Sequence, residues 1–181
     1  MPKLWKFFTF VVALLSVTRT TSGSEKCFVN GPGATVESGE YRREYDITFG
    51  LCALLCRQES CCLAFEWIDD QCTLKGYSLS GSMVKMEKAY FGICFDSDES
   101  LPDHIIEGLY AGPPIHGLTL TDCIEYCEKI ESAQMFSWTP LNVLVQDDSI
   151  GECRCIQEIA AVRLHFGSSS GALPKLFGNV S

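Results

Sequence analysis

The sequence predicts an α+β protein made of two small disulfide-stapled units, each a helix packed on a twisted antiparallel sheet. Three observations predict it. All 11 cysteines fall between residues 27 and 155 of a chain whose first residues read as an export signal, and exported chains keep disulfides. The sequence also meets itself when shifted by 71 residues: Thr48-x3-Cys52-x3-Cys56 becomes Thr119-x3-Cys123-x3-Cys127, and Phe65-Glu66-Trp67 becomes Phe136-Ser137-Trp138. Self-similarity at a fixed offset marks two copies of one structural unit. Within each copy a helix-period segment precedes strand-like ones, the mixture expected of an α+β unit.

Lys3 and Lys6 precede an apolar run, Phe7 to Val17, and a small polar stretch, Thr18 to Ser24, follows. That order is the layout of a secretory signal peptide over residues 1–23, with cleavage after Gly23 or Ser24. The run is shorter than the roughly 20 residues of a membrane span, and no second run of spanning length follows. The mature protein is therefore expected to be secreted and extracellular, with no membrane span. Without residues 1–23, 11 Lys+Arg stand against 23 Asp+Glu, a net charge of −12. This acidity argues against nucleic acid and anionic membranes as partners. It permits cationic partners or divalent ions.

The first unit is placed at 24–95 and the second at 96–166. "TFGLCALLCRQ" and "TLTDCIEYCEKI" read as helices of two to three turns, with Thr48 and Thr119 suited to the N-cap. Asp122 lies three residues after Thr119, close to a capping box. Cysteines four apart share one helical face, so both thiols reach the same neighbouring sheet. "CLAFEWI" and "QMFSWTP" read as strands with Phe and Trp two apart on one face. The aromatic pair suits the core. "QCTLKGY", "KAYFGICF" and "GECRCIQ" are further strands, and "NGPG", "SLSGS" and "YAGPP" mark turns. In the second unit Cys61 and Cys62 are replaced by Ser132 and Ala133, and "LNVLVQDDSI" is inserted before "GECRC". Cys153 and Cys155 would share one strand face, so two helix thiols can meet two strand thiols. That gives Cys123–Cys153 with Cys127–Cys155, or the crossed pairing. Residues 167–181, Gly/Ser-rich, read as a flexible tail. Asn179-Val-Ser within them is a glycosylation sequon.

The first unit resembles the PAN/apple domain. Its run is Cys27, Cys52-x3-Cys56, Cys62-x2-Phe65, Cys72-x-Leu74-Lys75 and Cys94. The resemblance covers residues 27–94 and implies the pairs Cys27–Cys94, Cys52–Cys72 and Cys56–Cys62. The second unit resembles the family through its helix and aromatic strand. "YFGICFDSD" and "GECRC" also resemble the WSC domain, a small carbohydrate-binding module. The resemblance implies adhesion modules that bind proteins or carbohydrates, and it carries no catalytic or ligand-contact residue onto this chain. With three pairs in the first unit and two in the second, Cys61 is left over, unpaired or open to an intermolecular disulfide. A rival count pairs Cys61 with Cys27 and leaves the odd thiol in the second unit.

The sequence offers little for catalysis or metal binding. His104, His116 and His165 lie beside no nucleophile motif, and an isolated loop histidine such as His104 is expected to be solvated. Cys123, Cys127, Cys153 and Cys155 depart from zinc-knuckle spacing, and secretion favours disulfides. Asp96, Asp98, Ser100 and Glu107 match EF-hand positions 1, 3, 5 and 12, but Leu101 stands where the loop needs Gly. The stretch reads instead as an acidic inter-unit linker. The expectation is a non-enzymatic binding protein with no metal and no cofactor. Its partner would be an extracellular protein or glycan, and Cys61 would allow a disulfide-linked dimer. The alternative is an acidic structural protein of an extracellular or mineralised matrix.

Overall fold

A computed structural model describes residues 27–95, 100–142 and 149–177. The strands and helices, in chain order, are β1 (Cys27–Asn30), β2 (Ala34–Val36), β3 (Glu40–Glu44), α1 (Phe49–Gln58), β4 (Ala64–Ile68), β5 (Gln71–Lys75), β6 (Gly81–Lys85), β7 (Tyr90–Cys94), β8 (Ser100–Tyr110), β9 (Ile115–Leu118), α2 (Leu120–Glu128), β10 (Met135–Pro140) and β11 (Gly151–Ala172). A single 3-10 turn, Pro174–Phe177, follows. The fold is α+β, with antiparallel sheets throughout. The expected signal segment lies outside the described residues.

Both helices start where a hydroxyl can take an unpaired backbone donor. Thr48 Oγ1 accepts from the Leu51 amide at 3.4 Å. Thr119 Oγ1 accepts from the Asp122 amide at 3.2 Å and donates to Asp122 Oδ2 at 2.7 Å. Spacing by four puts Cys52 and Cys56 on the buried face of α1, and Cys123 and Cys127 on that of α2. Disulfides then fasten each helix to its sheet: Cys52–Cys72 and Cys56–Cys62 in the first unit, Cys123–Cys153 and Cys127–Cys155 in the second. Cys27–Cys94 joins the ends of β1 and β7, which face each other in the ladder.

The repeat is kept down to single hydrogen bonds. Trp67 Nε1 donates to the Ile47 carbonyl at 2.9 Å, and Trp138 Nε1 donates to the Leu118 carbonyl at 2.9 Å. Each acceptor immediately precedes the capping threonine. Trp67 lies opposite Cys72, and Trp138 lies opposite Cys153. The Leu63 amide reaches the Lys75 carbonyl as the Gln134 amide reaches that of Ile156, both at 2.8 Å. The Cys94 amide reaches the Leu63 carbonyl at 2.8 Å, and the Leu173 amide reaches that of Gln134 at 2.9 Å. Phe65 lies opposite Gly92, and Phe136 opposite Gly171. A Cβ at Gly92 would run into the Phe65 ring, so the residue facing that phenylalanine must be glycine. These matches make β8 the counterpart of β1 and β2 together. They make β11 the counterpart of β5, β6 and β7 run into one strand. Cys155 then occupies the place of Leu74, and Leu173 that of Cys94.

Two segments differ from expectation. Residues 167–172 are not a flexible tail. They form the last arm of β11, pairing with β10 on one side and β8 on the other, with Ser168, Ser170 and Leu173 buried. The second unit therefore runs past 166. Small residues suffice because the arm lies between two strands, where ladder hydrogen bonds hold it. Nor is the segment from Ser100 onward a linker. It is β8, in which Leu101, His104 and Ile106 are buried. Residues 96–99 lie outside the described residues.

The units share a sheet and a core. β11 pairs with β6 through Ala161–Ser82 and Val162–Gly81, joining β2 and β6 to the second unit's strands. Arg163 Nη2 donates to Ser82 Oγ across this seam at 2.8 Å. Each helix covers only one face of its sheet, so the other face needs cover too. The two uncovered faces supply it to each other. Val36, Leu79, Phe91 and Ile93 form one buried cluster with Leu101, Ile106, Met135, Ile156 and Val162. Smaller clusters around the disulfides lie beneath α1 and α2.

Candidate functional site: a polar cleft on the second unit

Alternation along two strands builds the site. On β10, Phe136 and Trp138 turn under α2 with Cys153 and Cys155 of β11, so Ser137, Thr139, Glu152 and Arg154 turn to the opposite face. There, with Ile105, Ile106 and Glu107 of β8 and His165 of β11, they line a cleft of about 230 Å³. Its walls are tied down. Arg154 Nε binds Glu152 Oε1, and Arg154 Nη1 donates to the Tyr110 hydroxyl at 3.0 Å. The guanidinium carbon lies 5.5 Å from the Tyr110 ring centroid, within cation–π range. Burial pulls the Arg154 guanidinium down, but the hydrogen bonds with Glu152 and Tyr110 outweigh it, and the net shift is upward. Glu152 Oε2 also lies 3.6 Å from His116 Nδ1. At the other rim Arg163 Nε is 3.4 Å from Glu107 Oε2.

A hydroxyl network supports the floor. The Ile106 amide donates to both Ser137 Oγ (3.2 Å) and Ser170 Oγ (3.1 Å). Ser170 Oγ donates to the His104 carbonyl at 3.0 Å, so Ser137 supplies the proton of the 2.7 Å bond between the two serines. His165 Nδ1 lies 2.7 Å from Ser168 Oγ, which donates to Thr139 Oγ1 at 3.3 Å. Ser168 is buried with its proton engaged, so it braces the cleft wall. The Gly167 amide donates to Asp103 Oδ1 at 2.8 Å and fixes the same turn.

The first unit closes the corresponding place. Where the second unit has Ser137 the first has Glu66, and Thr35 and Lys75 stand at the places of Ile106 and Ile156. The Thr35 hydroxyl donates to Glu66 Oε2, and Lys75 Nζ lies 3.9 Å from the same oxygen. Thr35 and Lys75 are buried. Burial pushes the Lys75 ammonium below its ordinary value, against the pull of Glu66. In the second unit a serine and two isoleucines stand at the places of Glu66, Thr35 and Lys75, and Arg154 stands where the first unit has Thr73.

Of the residues singled out from sequence, Glu107 and His165 line the cleft and His116 lies beside Glu152, and the others fall elsewhere. Cys27, Cys52, Cys56, Cys62, Cys72, Cys94, Cys123, Cys127, Cys153 and Cys155 are joined in the five disulfides. The Sγ atoms of Cys123, Cys127 and Cys153 lie within 4.8 Å of one another, but each is spent on an S–S bond and is no thiolate. Cys61 is free and exposed. Burial, then hydrogen bonds to Cys61 and Glu59, push the neighbouring Tyr41 phenol up. Asn179, Asp96 and Asp98 lie outside the described residues. Ser100 and Glu107 are strand residues of β8 and cannot wrap an ion as an EF-hand loop does. His104, expected to be solvated, is fully buried. Its Nδ1 is 2.8 Å from the Pro102 carbonyl, and its Nε2 has no partner among the described residues. Sequence reasoning missed the cleft. The available signal was "GECRC", where alternation sends Glu152 and Arg154 opposite to the cysteines.

No protein-family model matches the chain, and no curated protein matches it. Among solved structures it is similar to the two N-terminal apple domains (residues 58–231) of Toxoplasma gondii microneme protein 4. The match has 15% identity and a TM-score of 0.32, and covers 77% of this chain and 84% of that one. No helix among the described residues is long and apolar enough to cross a membrane.

Proposed function

We propose that this chain is a secreted, non-enzymatic binding protein that recognises an extracellular protein or carbohydrate through surfaces held by its stapled sheets. One observation carries the reading. The two copies keep the contacts that fix helix to sheet, from the Trp–carbonyl bonds and capping threonines to the helix–sheet disulfides, yet differ on the faces they present. Leu51 and Leu54 of α1 are exposed, whereas the matching places on α2 hold Asp122 and Glu125. A framework held constant beneath varied surfaces suits recognition, because function is carried by the site and not by the fold. The export-signal pattern and the cysteine framework support the extracellular setting. The exposed Cys61 thiol offers a covalent link to a second chain.

A glycan array run beside pull-downs from native extracellular fluid tests the reading, with binding in one of them expected. No ligand in either, with the chain recovered from an insoluble or mineral fraction, would favour the matrix role instead. Intact mass under non-reducing conditions reports any Cys61-linked dimer in the same preparation.

A further inference from the structure

We propose that the cleft over Ser137, Thr139, Glu152 and Arg154 is the ligand site, and that it takes one uncharged, hydroxyl-rich ring, the terminal sugar of a glycan. The inference rests on the binding role above and deepens it. Size sets the first limit. Pockets for drug-sized ligands run from roughly 300 to 1,000 Å³, so a cleft of about 230 Å³ holds one small unit and not an extended peptide.

Charge sets the second. Glu152 is matched by Arg154 and Glu107 by Arg163. A ligand of either net charge finds no unmatched opposite charge here. A neutral hydroxyl is different, since it both donates and accepts. Carboxylate oxygens of Glu107 and Glu152 accept from it. A guanidinium has five N–H groups, and the contacts of Arg154 with Glu152 and Tyr110 engage two of them. Thr139 adds a hydroxyl that can work in either direction, and His165, whose Nδ1–H is turned to Ser168, adds Nε2 as an acceptor. Bonds to such charged partners are the stronger kind.

Preorganisation is the third element. Arg154 is held between Glu152 and the Tyr110 ring, and His165 is held by Ser168. Little side-chain freedom is left to lose on binding. The buried Glu66–Lys75–Thr35 arrangement at the same place in the first unit shows that the cleft's lining is not imposed by the fold.

The test uses the secreted chain with its five disulfides intact. NMR titration with methyl glycosides of neutral hexoses and N-acetylhexosamines should move resonances of Glu107, Thr139, Glu152, Arg154 and His165. A sialoside, negatively charged, should move them less. Arg154→Lys and Thr139→Val should each weaken the bound glycoside at least tenfold, while Leu51→Ser on α1 leaves affinity unchanged and all variants keep the wild-type near-ultraviolet circular dichroism at the titration temperature. If no neutral glycoside moves these resonances at large excess, the proposal fails. A glycan captured on an array that ignores both cleft variants also overturns the site, while the binding role stands. A protein captured through the cleft overturns the ligand class.

Discussion

Trp67 and Trp138 each join a strand to the residue before a helix cap with one indole N–H, so a single side chain fixes where the helix begins relative to the sheet. Such residue-scale features were legible. Capping threonines, cysteines four apart and the Phe-x-Trp alternation act over a few residues, and local periodicity reports them. Lys75 was not legible, because its burial depends on Thr35 and Glu66 meeting it from two other strands. It gives a pH test. Its folded-state value lies below the ordinary lysine value of 10.5, so the cost of burying the ammonium is full at lower pH. It falls as pH climbs through the folded value and is gone above the ordinary one. In a Cys61→Ser background, which removes alkaline thiol exchange, wild type should gain stability relative to Lys75→Met as pH rises toward 10.5. Urea unfolding at stepped pH measures this, and a flat difference would contradict it.

Among the elements, β11 is where sequence and structure part most. Its first arm was expected from "GECRC", but its last arm, "GSSSGA", has no apolar alternation to announce a strand. The register supplies what composition withholds: the arm repeats β7 position by position and lies between β10 and β8. The stretch around Ser100 misled for a related reason, since Pro102, Asp103, His104 and Glu107 break up the apolar pattern of β8. Truncation after Phe166 is therefore expected to unfold the second unit, removing Leu173 from the cluster around the α2 disulfides. Loss of near-ultraviolet circular dichroism and failed secretion would show it. A truncated chain with native dichroism would restore the tail reading.

For the whole molecule, the α+β class and the duplication were readable from the 71-residue offset, whereas the joint between the copies was not, because neither β6 nor the middle of β11 carries a signal for its partner. Register at that joint has a consequence. Met83 and Ala161 hold matching places, as do Val84 and Val162, judged by their partners on β2 and β8. Ser82 therefore pairs with the counterpart of Met83, and Gly81 with the counterpart of Val84. That antiparallel register reads the same when the units are exchanged, which is the rule of an isologous dimer interface. The chain is in this sense a homodimer with its protomers tied in series. A fragment holding residues 24–95 alone would keep β6 as an unpaired edge beside an uncovered apolar face. It should self-associate in pairs through that edge, and sedimentation should find a dimer that Ser82→Pro returns to monomer.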